Sequence, residues 1–159
     1  MRQLAAIMFS DMTGYTALMQ KNEQLARVKR QRLKEVLEAS VSVYNGKILQ
    51  YYGDGALSIF NSAIDGVNCA VEIQQTLQLE PKVELRIGIH TGDISIEDES
   101  IFGDGVNLAS RIESLAVPGS VFISEKVFDE IKNQENITSR EMGYFELKNV
   151  IKPVRIFAI

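Results

Sequence analysis

The chain has 159 residues, of which 45% are hydrophobic and 24% are charged, with 11 glycines and 3 prolines. This balance excludes a disordered or collagen-like chain and indicates one compact domain over residues 1–159. The formal net charge of −4 argues against a nucleic-acid partner, and the single cysteine, Cys69, excludes a disulfide framework. We therefore expect a reducing, cytoplasmic setting.

The first 60 residues predict a strand, a long helix and a pair of strands. The apolar run at residues 4–9 is typical of a buried strand and is far shorter than the roughly 20 residues that a membrane-spanning helix needs, so no membrane segment is expected. Residues 53–55, Gly-Asp-Gly, are a hairpin signature. The predicted elements are a strand at 4–9, a turn at 13–16 that opens a helix, a helix at 22–44, and strands at 47–52 and 56–60.

The remaining residues alternate helices and strands in a β-α-β-β-α-β order that continues into smaller α/β pieces. This order predicts an α+β fold, a ferredoxin-like (split βαβ) sandwich whose central, mostly antiparallel sheet carries its helices on one face. The predicted elements are a helix at 65–79, a strand at 83–90 ended by Thr91-Gly92, a helix after residues 103–105, a strand at 121–123, a helix from Ser124, and strands near 144–147 and 154–158.

Asp11 comes directly after the first predicted strand and before the turn at residues 13–16. The first N–H groups of a helix lack intrahelical partners and bind phosphate, and a nearby carboxylate can hold a metal that also contacts the phosphates. The alternative is that Asp11 only caps the helix. This segment alone is compatible with both interpretations.

Asp54 lies at the tip of the predicted strand pair. In a hairpin next to the first strand, its side chain could approach Asp11 across the sheet and complete a two-metal site for in-line attack on phosphorus. Asp-Gly is also an ordinary hairpin turn, and taken alone this structural interpretation is favoured.

A predicted helix over residues 105–115 carries an amide and a guanidinium one turn apart, on Asn107 and Arg111. Its apolar stripe lies on another face. Such a pair could bind a ribose oxygen and a phosphate, because arginine offers a fixed fork of donors to phosphate oxygens. The alternative is a solvated surface face.

Four segments together resemble the catalytic domain of the class III nucleotidyl cyclases, the adenylate and guanylate cyclase family. The resemblance covers essentially the whole chain, and its specificity comes from the occurrence of all four segments in the family's order. They are residues 9–16 (FSDMTGYT), 53–55 (GDG), 86–92 (RIGIHTG) and 102–111 (FGDGVNLASR).

This resemblance implies that Asp11 and Asp54 hold two Mg²⁺ or Mn²⁺ ions per site, with the Met12 carbonyl completing a metal shell. The implied substrate is a nucleoside triphosphate, whose ribose 3′-oxygen attacks the α-phosphorus and releases pyrophosphate. Asn107 would position the ribose, and Arg111 would stabilise charge on the α-phosphate. The implied phosphate-binding residues are Thr13, Gly14, Tyr15, Thr16 and Lys148.

The family also implies a homodimer with shared active sites, because one domain supplies the metals and its partner the base pocket, Asn107 and Arg111. By the same resemblance Gln50 and Ser100 would read the base, and this pair is typical of neither adenylate nor guanylate cyclases. We expect ATP as the substrate. The alternatives are a guanylate or dual-specificity cyclase, and a catalytically weak module that binds nucleotide or dimerises.

Overall fold

The computed structural model describes residues 1–98 and 100–159. In these residues eight strands and five helices follow one another along the chain. They are β1 (Arg2–Met12), α1 (Tyr15–Lys21), α2 (Glu23–Val43), β2 (Lys47–Tyr52), β3 (Gly55–Phe60), α3 (Ala63–Leu77), β4 (Leu85–Glu97), β5 (Ser100–Phe102), α4 (Asp104–Leu115), β6 (Val121–Ser124), α5 (Glu125–Ile131), β7 (Arg140–Phe145) and β8 (Val154–Ala158).

The strands form one sheet in the order β2-β3-β1-β4-β6-β8-β7, with β5 paired to β4. The first four strands of this order are the split βαβ arrangement, since β1 lies between β3 and β4 and is antiparallel to both. Among the described strand pairs only β4 and β6 run parallel. The predicted α+β fold with a mostly antiparallel sheet is confirmed.

Helices cover both faces of the sheet, so the expectation of helices on one face was wrong. One face packs against α2, α3 and α5 through a large apolar cluster. The other face of β1 presents Ala5 and Ile7 to Val106 and Ala109 of α4. A continuous apolar run such as residues 4–9 is typical of a strand that is buried on both faces, and this is why β1 needs both helical layers.

The predicted end of the fourth strand at Thr91-Gly92 was also wrong, because β4 continues to Glu97 and turns back into β5. Gly92 marks a close approach of α4 and not a chain reversal. A Cβ atom placed on Gly92 would lie 3.0 Å from the Cα atom of Gly105 in α4. Glycine in a strand often marks such a contact.

The predicted start of the long helix is confirmed in detail. The Asn22 side chain accepts a hydrogen bond from the Leu25 N–H at 3.1 Å and caps α2. The short helix α1 precedes it and begins after Gly14, whose φ of 72° lies in the left-handed region that favours glycine. Among the described residues, no helix has the length and apolar character to cross a membrane.

Candidate active site

The strand pairing brings Asp11 and Asp54 together. Asp11 lies opposite Gly55 in the β1–β3 ladder, and the Met12 N–H donates to the Asp54 carbonyl at 2.9 Å. Gly55 has no room for a side chain, because a Cβ atom there would collide with the Ser10 carbonyl oxygen. The turn before β3 is therefore pressed against the end of β1, and both carboxylates lie at the same place.

The two carboxylates repel each other. Burial, reinforced by the neighbouring Asp54 carboxyl group, raises the pKa of Asp11 to about 6. The positive charge of Arg86 opposes this rise. A divalent cation at this point would relieve the repulsion between the carboxylates.

The donor set fits Mg²⁺ or Mn²⁺. Both cations prefer oxygen ligands, and Mg²⁺ is typically bound by one or two carboxylates together with water and substrate phosphates. Asp11 and Asp54 supply two such carboxylates. No cluster of three or more His, Cys, Asp or Glu side chains suited to a metal occurs within residues 1–98 and 100–159. The remaining ligands would be backbone, water or phosphate oxygens, and the Met12 carbonyl remains a predicted ligand.

Sequence reasoning missed two residues of this site, Arg86 and Glu113. Arg86 lies opposite Asp11 in the β1–β4 ladder, and its Nη2 is 3.5 Å from Asp11 Oδ2. Its Nε is 3.6 Å from Glu113 Oε2, on α4. The alternation of Leu85, Ile87 and Ile89 on β4 was the available signal, since it places Arg86 on the opposite face of the strand.

Glu113 is the buried member of this group, with 9% of its side chain exposed. Burial, together with the negative charges of Asp11 and Asp54, raises the pKa of its carboxyl to about 7, although the positive charge of Arg86 opposes the rise. The backbone of α4 touches β4 at this point, because a Cβ atom on Gly88 would collide with the Glu113 backbone. The glycine therefore lets α4 bring a third carboxyl group close to the Asp11–Arg86 pair.

Asn107 lies in the same cavity as Asp11. This cavity has a volume of about 410 Å³ and is also lined by Tyr52, Ser110 and Glu113. Two other residues named from the sequence lie elsewhere. Arg111 is half-buried on α4 and does not line this cavity, and Lys148 is exposed in the loop before β8, beyond β6 on the far side of the sheet from β2.

The turn before α1 leaves unpaired N–H groups. The Thr13 N–H donates to the Glu84 carbonyl at 2.9 Å, which fixes the turn against the start of β4. No side chain caps α1, and no backbone hydrogen bond of the described residues engages the N–H groups of Gly14, Tyr15 and Thr16. Three of the four residues predicted to bind phosphate at this turn thus have backbone donors to offer.

The two residues predicted to read the base lie on two different strands, Gln50 on β2 and Ser100 on β5. Gln50 is exposed on β2 and lines a groove of about 450 Å³ with Ile96 and Ile101. Ser100 is exposed at the start of β5, directly before Ile101, but does not itself line that groove. The fold therefore brings Gln50 to the β4–β5 hairpin, which the sequence did not predict.

Comparisons with known proteins identify the family to which this site belongs. Residues 2–159 match the family described as "Adenylate and Guanylate cyclase catalytic domain". The chain therefore belongs to this family, and it is a nucleotidyl cyclase domain. The predicted resemblance to class III cyclases is confirmed.

Three relatives illustrate the match. The protein named "Putative adenylate cyclase 3" of Rhizobium meliloti (strain 1021) is 40% identical over an alignment of 164 positions that covers 98% of this chain and 28% of that protein. The crystal structure of an adenylate/guanylate cyclase/hydrolase from Silicibacter pomeroyi is 35% identical, with a TM-score of 0.88 over 99% of this chain and 96% of that one. The adenylyl cyclase CyaB from P. aeruginosa shares the fold, with 24% identity, a TM-score of 0.88, and coverage of 99% and 94%.

This chain thus spans little more than a quarter of the length of the Rhizobium protein. It covers nearly all of the Silicibacter chain.

Proposed function

We propose that this domain is an adenylate cyclase that converts ATP to 3′,5′-cyclic AMP and pyrophosphate. The observation that carries the proposal is the meeting of Asp11 and Asp54 beside the uncapped first turn of α1. A nucleotide-binding module without turnover has no chemical need for a carboxylate pair whose mutual repulsion calls for a divalent cation. The proposed functional unit is one domain, residues 1–159, in a cytoplasmic setting.

Asp11 and Asp54 would hold two Mg²⁺ or Mn²⁺ ions, with the Met12 carbonyl as a further ligand. When bound, these ions supply positive charge at the α-phosphate and favour the ionised form of the ribose 3′-hydroxyl. The N–H groups of Gly14, Tyr15 and Thr16 would donate to phosphate oxygens at the N-terminus of α1. Thr13 would shape this turn through its own hydrogen bond to Glu84.

Three residues would act on the nucleotide from the partner domain of a homodimer. Asn107 would orient the ribose through its amide, and Arg111 would donate to the α-phosphate as negative charge accumulates in the transition state. Lys148 would neutralise the triphosphate. Support for sharing comes from Lys148, because its loop and the Asp11 end of β1 are separated within one chain by β4 and β6; Asn107 lines the Asp11 cavity of its own chain, so this support does not extend to it.

Mixing two inactive variants tests the shared site. Asp11→Ala removes a metal ligand and Arg111→Ala removes a transition-state donor, so each homodimer should lose activity by roughly 10²-fold or more. A heterodimer contains one site in which both residues are intact, while its other site carries both lesions. Mixing should therefore restore cyclic nucleotide formation.

The matched control is a mixture of Asp11→Ala with Asp54→Ala, in which both lesions fall on the metal-binding side. No site in that heterodimer is intact, so activity should stay low. Sedimentation must show that subunits exchange in both mixtures. Exchange without recovery in the first mixture would show that the sites are not shared.

We further propose that ATP is preferred over GTP only modestly, with Gln50 and Ser100 at the base. The glutamine amide both donates and accepts, and so does the serine hydroxyl, so each can turn to suit either purine. Strong discrimination needs a buried polar group that the wrong base leaves unpaired. A guanylate or dual-specificity cyclase is the alternative that a comparison of kcat/KM for ATP and GTP would reveal.

A further inference from the structure

A second cavity lies on the other side of the β2–β3 turn from the cavity that contains Asp11. It has a volume of about 430 Å³ and opens between α1, the N-terminal half of α2 and residues 51–55. Tyr52 and Gly55 line both cavities, so the turn is the wall between them. Asp54 and Tyr15 also line this second cavity, which therefore borders the turn before α1.

Three cations of α2 line the second cavity: Arg27, Arg30 and Lys34. Their spacing of three and four residues places them on one face of the helix. Arg27 is already paired, because its Nη2 is 2.7 Å from Glu23 Oε1. Neither Arg30 nor Lys34 forms an ion pair with any described residue.

Arg30 and Lys34 are one helical turn apart, so their like charges repel each other. Lys34 Nζ lies 5.7 Å from the centre of the Tyr51 ring, a contact that leaves its charge uncompensated. The nearby acidic groups are Asp54 on the cavity wall and Glu38, which accepts a hydrogen bond from the Tyr51 hydroxyl at 3.0 Å. The cationic face of α2 thus lines a concave site.

We propose that this cavity binds a phosphoanhydride anion, and that the ligand is free pyrophosphate. Arg30 and Lys34 supply two uncompensated cations, and charged donors of this kind form the stronger hydrogen bonds to phosphate oxygens. Tyr15 and Asp54 line the cavity, so it borders both the metal-binding pair and the turn proposed to hold the triphosphate, and pyrophosphate released there lies next to Arg30 and Lys34. The identity of the ligand rests on the proposed function, whereas the anion site itself does not.

The test is calorimetric titration of the protein with sodium pyrophosphate, in EDTA and at low ionic strength. Replacing both cations, Arg30→Gln with Lys34→Gln, should weaken binding at least about tenfold, because two charge-assisted contacts are lost. The matched control carries the same charge change at residues outside the cavity, Lys29→Gln with Lys126→Gln. It should bind within about twofold of the wild type if local contacts and not net charge hold the anion.

Two outcomes would overturn the proposal. One is absent or equal pyrophosphate binding in the wild type and the Arg30/Lys34 variant. The other is pyrophosphate binding that is lost in the Lys148→Ala variant and kept in the Arg30/Lys34 variant. That result would assign the anion to the proposed catalytic site. The phosphoanhydride could come from free pyrophosphate or from the triphosphate of ATP, and a parallel titration with ATP distinguishes them. Tighter binding of ATP than of pyrophosphate at Arg30 and Lys34 would contradict the assignment to the free product.

The Asp11→Ala variant separates this proposal from the proposed function. It should bind pyrophosphate as the wild type does, since it keeps Arg30 and Lys34. Failure of the domain to form any cyclic nucleotide would refute the proposed function and leave the measured anion site standing. An active cyclase whose Arg30/Lys34 variant binds pyrophosphate normally would refute only the anion site.

Discussion

Replacing Glu113 by glutamine should stabilise the metal-free protein at neutral and alkaline pH. Burial is the main reason that the pKa of this carboxyl rises from 4.5 to about 7. A raised carboxyl pKa contributes stability that is fully present below the unfolded-state pKa and is lost as the pH rises through the folded-state pKa. A rise of this size corresponds to roughly 3 kcal/mol, which the folded protein loses above about pH 7.

Glutamine has nearly the same shape and cannot ionise, so it should keep the contact with Gly88 and avoid this loss. The substitution also removes the contact between Arg86 and Glu113, 3.6 Å apart. Because Arg86 retains Asp11 as a partner, we expect the desolvation effect to exceed the lost attraction. The expected net gain is about 1–3 kcal/mol at about pH 8, and close to zero near pH 4.5, where wild-type Glu113 is also neutral.

Urea unfolding in EDTA at these two pH values measures the effect, with Glu84→Gln, an exposed carboxylate directly before β4, as the control. The control should differ from the wild type by no more than about 0.5 kcal/mol at either pH. A Glu113→Gln variant that is less stable than the wild type at about pH 8 would show that the attraction of Arg86 outweighs the burial of the charge. Such a result would refute this account of the carboxyl group.

Three further predictions concern the site. Burial raises the pKa of Asp11 to about 6, and a protonated carboxyl group does not bind a metal. The affinity for Mn²⁺ should therefore fall about tenfold per pH unit below about pH 6 and level off above about pH 7. A calorimetric affinity that does not change with pH would contradict this prediction. Gly55→Ala should lower both the urea midpoint and the activity, because its Cβ collides with the β1 backbone, whereas Gly53→Ala, with nothing within 4 Å of its Cβ, should be nearly neutral in the same assays. Gln50→Lys with Ser100→Asp should sharpen the preference for ATP, because lysine only donates and an ionised aspartate only accepts. An unchanged ratio of kcat/KM for ATP and GTP would show that these two residues do not recognise the base.

The resemblance to the cyclase family was needed to predict Asp11 and Asp54 as a pair, because each segment alone was compatible with a purely structural role. Asp54 belongs to a Gly-Asp-Gly turn that alone favoured the structural interpretation, and the neighbour of this turn in the sheet was an open question. The split βαβ order answers that question by placing β3 beside β1. A local motif and the topology thus agree on the place of each carboxylate.

Arg86 and Glu113 could not be paired from the sequence, because their contact depends on how α4 crosses the sheet. The helical stripe of α4 predicts which residues are apolar, but Glu113 is buried through the close approach at Gly88. The continuation of β4 past Gly92 was missed for the same physical reason. In both places a glycine marks the contact of two backbones, and at Gly92 the sequence pattern was interpreted as the end of the strand.

The central claim is that this domain forms cyclic AMP at a site built on Asp11 and Asp54. The direct test incubates the purified domain with Mn²⁺ or Mg²⁺ and each of the four ribonucleoside triphosphates, and then separates and identifies the products. We predict 3′,5′-cyclic AMP and pyrophosphate in equal amounts, with ATP the best substrate and turnover reduced by roughly 10²-fold in Asp11→Ala and Asp54→Ala. Absence of a cyclic nucleotide from all four substrates, or undiminished turnover in both variants, would contradict the claim.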